Sequence, residues 1–183
     1  RTGRKAFSIP VDLADPRSPR QLYEQVSGLE VMVEVLINNA GFGLVGRFWE
    51  LDEEEQIQMI HLNIGALTHL TRLFLPGFIA RRRGYILNVG STAAFQPGPL
   101  MSVYYASKAY VVSFSEAVHN EARDHGVKVT CLCPGPTSTE FDKRSGTSGT
   151  KLCKDGNAMS ALSVAQIGWD ALQAGKPLAI AGR

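Results

Sequence analysis

The chain is first narrowed by what it has little of. No apolar run in its 183 residues approaches the roughly 20 that a membrane span requires. The opening residues lack the basic-then-apolar pattern of a secretory leader. Cysteine is scarce: Cys131, Cys133 and Cys153 make an odd count with no Cys-x-x-Cys pair. That excludes a disulfide scaffold and a zinc ribbon, and it fits a reducing cytoplasm. Cys131 and Cys133 alternate within an apolar run, so both point to one face of a strand and cannot bridge each other. The four histidines, His61, His69, His119 and His125, fall in helical stretches without ligand spacing, so no metal site is expected. Net charge is only +2, too slight for a nucleic-acid partner. The one basic run, Arg81-Arg82-Arg83, stands at a helix end, where cations complement the helix dipole.

What is present is an alternation. Residues 6–11 read as a short apolar strand ending at Asp12. Ser18 then offers an N-cap, with Pro19 at the first helical position and Leu22 and Val26 on one side. Residues 31–37 form a near-continuous apolar run, as expected of a strand buried on both faces. It ends in Asn38-Asn39-Ala40-Gly41. Asp52 and Glu55 form a capping box, and Ile57, Ile60, Ile64, Leu67, Thr71 and Phe74 repeat as one helical face. Further strands are expected at 85–89, 127–133 and 177–181, and further helices at 102–123 and, capped by Ser163, to Ala174. Residues 138–159 are polar and rich in Gly, Ser and Lys, and read as a mobile loop that closes over substrate.

Strand and helix in alternation argue for an α/β fold: one doubly wound parallel sheet with helices on both faces, in a single domain. Ligands of such sheets bind beyond the carboxyl ends of the strands. Asp12, the 38–41 segment, Ser91 and the 134–139 segment all lie just past strand ends. Gly41-Phe42-Gly43-Leu44-Val45-Gly46 satisfies the GxGxxG spacing, but no helix opens at it and no acidic residue follows at the required distance. It is therefore rejected as a pyrophosphate loop.

The chemistry centres on Tyr104-Tyr105-Ala106-Ser107-Lys108. Tyr104 and Lys108 are four apart and share one helix face. An ammonium beside a phenol favours the phenolate, lowering a pKa that starts near ~10. Such a phenol can pass a proton to a developing alkoxide or take one from an alcohol.

In combination and in order, Asn38-Asn39-Ala40-Gly41, Asn63, Ser91, Tyr104-x-x-x-Lys108 and Pro134-Gly135 make the chain resemble the short-chain dehydrogenase/reductase family. The resemblance runs from Asp12 to Gly182. It implies a Rossmann-like three-layer fold and NAD(P)-dependent interconversion of a ketone or aldehyde and an alcohol. It implies Tyr104 as general acid/base, with Lys108 lowering its pKa and holding the nicotinamide ribose. Ser91 would hydrogen-bond the substrate carbonyl, and Asn63 would hold a water that links Lys108 to solvent. Asp12 and the Leu13 backbone would meet the adenine, Asn39, Ala40 and Gly41 the cofactor cleft. Thr137 and Thr139, after Pro134 and Gly135, would meet the nicotinamide amide and the phosphates. Tyr105 would pack. The resemblance also implies a homodimer or homotetramer through the Tyr104 helix and the helix before it.

The family opens with a strand and a Gly-rich turn that nothing before Asp12 resembles, so the first two strands are expected to be missing. The residue that selects NADP or NAD is then not in the sequence, and the lean is to NADP. On this expectation the 183 residues alone neither fold stably as a monomer nor bind dinucleotide well. Two readings compete with an active oxidoreductase: a non-catalytic binding protein on the same fold, and an inactive truncated product. Phe95, Pro97, Leu100, Met101 and Phe141 suit an apolar substrate pocket without naming its ligand.

Overall fold

Four parallel strands form the middle layer of the computed structural model, which describes residues 5–138 and 158–182. In spatial order they are β1 (Val35–Asn38), β2 (Gly84–Val89), β3 (Val127–Pro134) and β6 (Leu178–Ala181). The register sets Asn38 opposite Asn88, and Asn88 opposite Cys131. The helices are α1 (Ser18–Ser27), α2 (Glu53–Ile60), α3 (Leu67–Ala80), α4 (Ser102–Ala122) and α5 (Ala161–Gln173). A two-residue parallel pair, β4 (Thr137–Ser138) with β5 (Met159–Ser160), stands apart from the main sheet. Strand side chains alternate between faces. Leu87 and Leu132 pack with Val164 and Leu172 of α5. Ile86 and Val129 pack the other way, with Phe78 of α3 and Val118 of α4. Helices thus cover both faces, giving the expected three-layer Rossmann-like fold.

Several local expectations shift. Residues 6–11 make no strand, because an apolar run becomes a strand only by pairing and none of the described strands lies beside it. The 31–37 run is ordered as strand only from Val35, since its partner β2 begins at Gly84. The Val33 carbonyl is taken by the Arg81 guanidinium instead. Ser18 is the first residue of α1 and does not cap it; Arg17 precedes the helix without a side-chain cap. Ser160 rather than Ser163 caps α5, its hydroxyl accepting from the Ser163 N–H. Asp52 caps α2 as expected, accepting from the Glu55 N–H at 2.9 Å.

The stretch from α2 to α3 carries a π-helical turn, His61–Ala66. The wider turn spaces the buried positions Met59, Asn63 and Leu67 four and four apart. Ile57 and Ile60 are left outside, 42% and 37% exposed. The apolar repeat read from the sequence therefore holds for Leu67 and Thr71 but not for its first two members. Thr139, Phe141 and most of the 138–159 loop lie outside the described residues.

Candidate active site

The first turn of α4 is wedged in place by packing. A Cβ on Gly98 would lie 2.3 Å from the Tyr105 ring, so Tyr105 fills the space this glycine leaves. Tyr104, one residue earlier, turns inward against Met59 and Ala93 and is 8% exposed. Lys108 follows one turn on, and its Nζ stands 5.8 Å from the centre of the Tyr104 ring. Lys108 is buried and donates to the Val89 carbonyl at 2.9 Å. Desolvation lowers its pKa to about 8, opposed by the nearby Cys131 and Cys133 thiols. One acceptor leaves an ammonium two further donors.

Asn63 sits in the π turn with its side chain fully engaged. Its Oδ1 accepts from the Phe42 N–H at 3.1 Å, and its Nδ2 donates to the Phe42 carbonyl at 3.0 Å and the Ser107 hydroxyl at 3.0 Å. Ser107 in turn donates to the Tyr104 carbonyl at 2.7 Å. Asn63 therefore clamps the loop after β1 to the first turn of α4. A Cβ on Gly41 would come 3.0 Å from Asn63 Oδ1 and 3.5 Å from Lys108 Nζ. The 39–43 loop, Asn63 and Lys108 thus converge. Ser107 was not singled out from sequence, because a hydroxyl bonding back into its own helix leaves no spacing signal.

Ser91 follows the end of β2 and caps the short 3₁₀ turn Thr92–Phe95, its hydroxyl oxygen accepting from the Ala93 N–H at 3.1 Å. An oxygen that accepts there keeps its O–H for donation. Ala93 is buried against Tyr104, which places the turn beside the phenol.

The remaining expected contacts lie along the same rim. Leu13, Asn39 and Ala40 line one groove with Leu36 and Ile37 of β1 and Leu67 of α3. Asp12 is exposed beside it and accepts from the Ala14 N–H at 3.0 Å. At the end of β3, Pro134 is half-buried and the Gly135 N–H donates to the Ala181 carbonyl at 2.6 Å. The Thr137 hydroxyl donates to the Gly135 carbonyl at 2.9 Å. Phe95 and Leu100 are half exposed, while Met101 joins the Tyr104 cluster.

A doubly wound parallel sheet with this rim defines a Rossmann-like α/β protein. A family model described as short chain dehydrogenase matches residues 1–148, and the chain belongs to that family. Rat 17-beta-hydroxysteroid dehydrogenase type 3 is 35% identical over 170 residues, covering 91% of this chain and 55% of the relative. Ketoacyl reductase HetN of Nostoc is 35% identical over 136 residues, covering 74% and 47%. The chain thus spans about half the length of the curated relatives it matches. A short-chain dehydrogenase from Sphingobium yanoikuyae, solved in complex with NADPH, superposes with a TM-score of 0.83 at 28% identity, over 93% of this chain and 65% of that one.

Proposed function

We propose that this protein interconverts a ketone or aldehyde and an alcohol, with Tyr104 as general acid/base. The observation that carries the reading is the convergence of Tyr104, Lys108, Asn63 and the Gly41 loop at the carboxyl rim of the sheet. The nicotinamide, when bound, supplies or accepts the hydride. The chain's own residues handle the rest. Tyr104 gives the proton to the carbonyl oxygen in reduction and takes it back in oxidation. Lys108, with two donors beyond its bond to Val89, favours the phenolate and holds the ribose. The Ser91 O–H steadies the negative charge developing on the substrate oxygen. With its amide engaged, Asn63 serves the water relay to Lys108 through backbone of the π turn, where the regular helical ladder is interrupted.

The residues fit a nicotinamide dinucleotide. Gly41 leaves free the space a Cβ would take beside Lys108, and Leu13, Asn39 and Ala40 share a groove suited to an adenosine edge. Asp12 stands at that groove, and Pro134, Gly135, Thr137 and Thr139 serve the nicotinamide and phosphate side. NADP is preferred over NAD, a choice supported by the NADPH complex of the Sphingobium relative. The substrate is a bulky apolar carbonyl compound, in line with relatives named for hydroxysteroids and 3-oxoacyl-CoA and with the half-exposed Phe95 and Leu100. No helix among the described residues is long and apolar enough to cross a membrane, and the unpaired Cys131 and Cys133 suit the cytoplasm. The working form is a homodimer or homotetramer, supported by the exposed Ile57, Ile60 and Tyr110 on α2 and α4.

The test is nicotinamide absorbance in the full-length protein against ketones of increasing size, with NADPH and NADH in parallel. Turnover with bulky ketones and NADPH is expected. Dinucleotide binding without turnover on any carbonyl would favour the non-catalytic alternative.

A further inference from the structure

The turn that leads into α4 carries an unsuited residue for its shape. Gly98-Pro99-Leu100-Met101 closes on itself, the Met101 N–H donating to the Gly98 carbonyl at 3.0 Å. Proline at the second position and a left-handed third residue, Leu100 at φ 67°, make it a type II turn. That third position calls for glycine or asparagine, because a Cβ there crowds the neighbouring carbonyl. The other non-glycine residues described with positive φ are Glu30 and Arg82. Both follow the ends of helices, α1 and α3, where a left-handed residue is an ordinary way to stop. Leu100 ends no helix; α4 begins after it.

The turn is held from several sides. A Cβ on Gly98 would lie 2.3 Å from the Tyr105 ring, so the turn rests directly on that ring. The Leu100 carbonyl accepts from the Gly46 N–H at 2.9 Å. The loop that supplies this N–H is itself fastened to α2: Gln56 Nε2 donates to the carbonyls of Phe48 and Leu51 at 3.2 Å and 3.4 Å. Met101, the next residue, packs with Phe42 and Leu44 around Tyr104. The Leu100 residue nevertheless stays 53% exposed. Strain therefore holds an apolar side chain at a place where folding gains little from burying it.

We infer that Leu100 is a specificity-determining residue: the strained turn presents its side chain to the apolar body of a substrate whose carbonyl lies at Tyr104. This rests on the carbonyl chemistry proposed for Tyr104 and deepens the reading of a bulky apolar substrate. Leu100 adjoins Met101 of the Tyr104 cluster, so the part of a substrate that extends outward from the phenol meets this turn. A leucine open to water in the free protein and covered in the complex favours large ketones over small ones by the area it buries.

The test uses the full-length protein with NADPH and methyl ketones from acetone to long-chain members. The quantity read is the ratio of kcat/KM for a long-chain ketone to that for acetone. It is expected to fall about tenfold in Leu100→Gly and Leu100→Ala alike, since both lack the side chain, and to stay within about threefold of the parent in Leu100→Met. Glycine ordinarily melts below alanine. Here Leu100→Gly is expected to melt about 2 °C or more above Leu100→Ala, because only glycine relieves the turn. An alanine variant too unstable to assay supports the strain, and Leu100→Asn, which tolerates left-handed φ but lacks the apolar body, is then read for the ratio. An unchanged ratio in the variants that lack the side chain, a uniform loss on every ketone included, overturns the inference, as does Leu100→Gly melting below Leu100→Ala. If the parent acts on no ketone, the carbonyl chemistry falls and the inference with it. If the parent prefers long-chain ketones and Leu100→Gly and Leu100→Ala keep that preference, only the inference falls.

Discussion

Lys108 is an ammonium largely withdrawn from water. Its pKa stands at about 8, below the ordinary 10.5, because burial disfavours the charged form. Between those two values the unfolded chain keeps the proton and the folded chain has released it, so stability rises as pH rises through that window. Below about 8 both states are protonated and the full penalty of burying the charge is present. Above 10.5 both are neutral and it is gone. The span corresponds to about 3 kcal/mol. Lys108→Met is therefore expected to unfold at higher denaturant than the parent at pH 7, with the gap closing by about pH 10.5, while turnover and cofactor affinity both fall. Denaturant melts across pH check this, and a Lys108→Met protein less stable than the parent at pH 7 would contradict it. Tyr104 and Lys108 were legible in sequence because helical period alone puts residues four apart on one face. Ser107 was not, since its bonds cross to Asn63 and run back to the Tyr104 carbonyl.

A buried polar chain ties β1 and β2 to α3 and α4. Asn38 Nδ2 of β1 donates to Asn88 Oδ1 of β2 at 2.8 Å and to the Thr71 hydroxyl of α3 at 3.2 Å. Asn88 Nδ2 donates to the Ser115 hydroxyl of α4 at 2.9 Å. Asn88→Ala strips partners from two buried groups at once, and a loss of about 2–4 kcal/mol in unfolding free energy is expected from unsatisfied donors and acceptors. Urea melts give the number; a loss under about 0.5 kcal/mol would mean that water replaces the network. At the other end of the stretch from α2 to α3, Asp52→Ala should cost about 1 kcal/mol through the lost cap. Elements with long periodic signals, such as α4, β2 and β3, were readable to within a residue or so. The π turn was not, because an inserted residue shifts the buried face without altering composition. The 6–11 strand failed for a different reason: apolar sequence supplies willingness to pair, and the partner has to come from elsewhere.

Across the whole molecule, β1 is an edge of the main sheet among the described residues, with Ile37 on it 52% exposed and Val31 and Met32 just before it also open. On the helical side, Ile57 and Ile60 are three apart on α2 and both face outward. A second copy covering that face would remove both from water. Replacing Ile57 and Ile60 together by Lys is expected to halve the mass seen by sedimentation without loss of helix content. An unchanged mass would place the subunit contact elsewhere. The layered architecture was available from the alternation of apolar runs; the exposure of one helix face was hidden by the same π turn that displaces Asn63.

The central claim is that Tyr104 transfers the proton. Cofactor binding, followed by nicotinamide fluorescence, and turnover, followed by nicotinamide absorbance, should be measured on the full-length parent, Tyr104→Phe and Tyr105→Phe. Tyr104→Phe keeps the ring packed on Met59 and Ala93 and removes only the hydroxyl. It should bind cofactor almost as the parent does and lose about 10²–10⁴-fold in kcat, with Tyr105→Phe close to the parent. Parent-like turnover in Tyr104→Phe, with the loss appearing in Tyr105→Phe instead, would contradict the assignment.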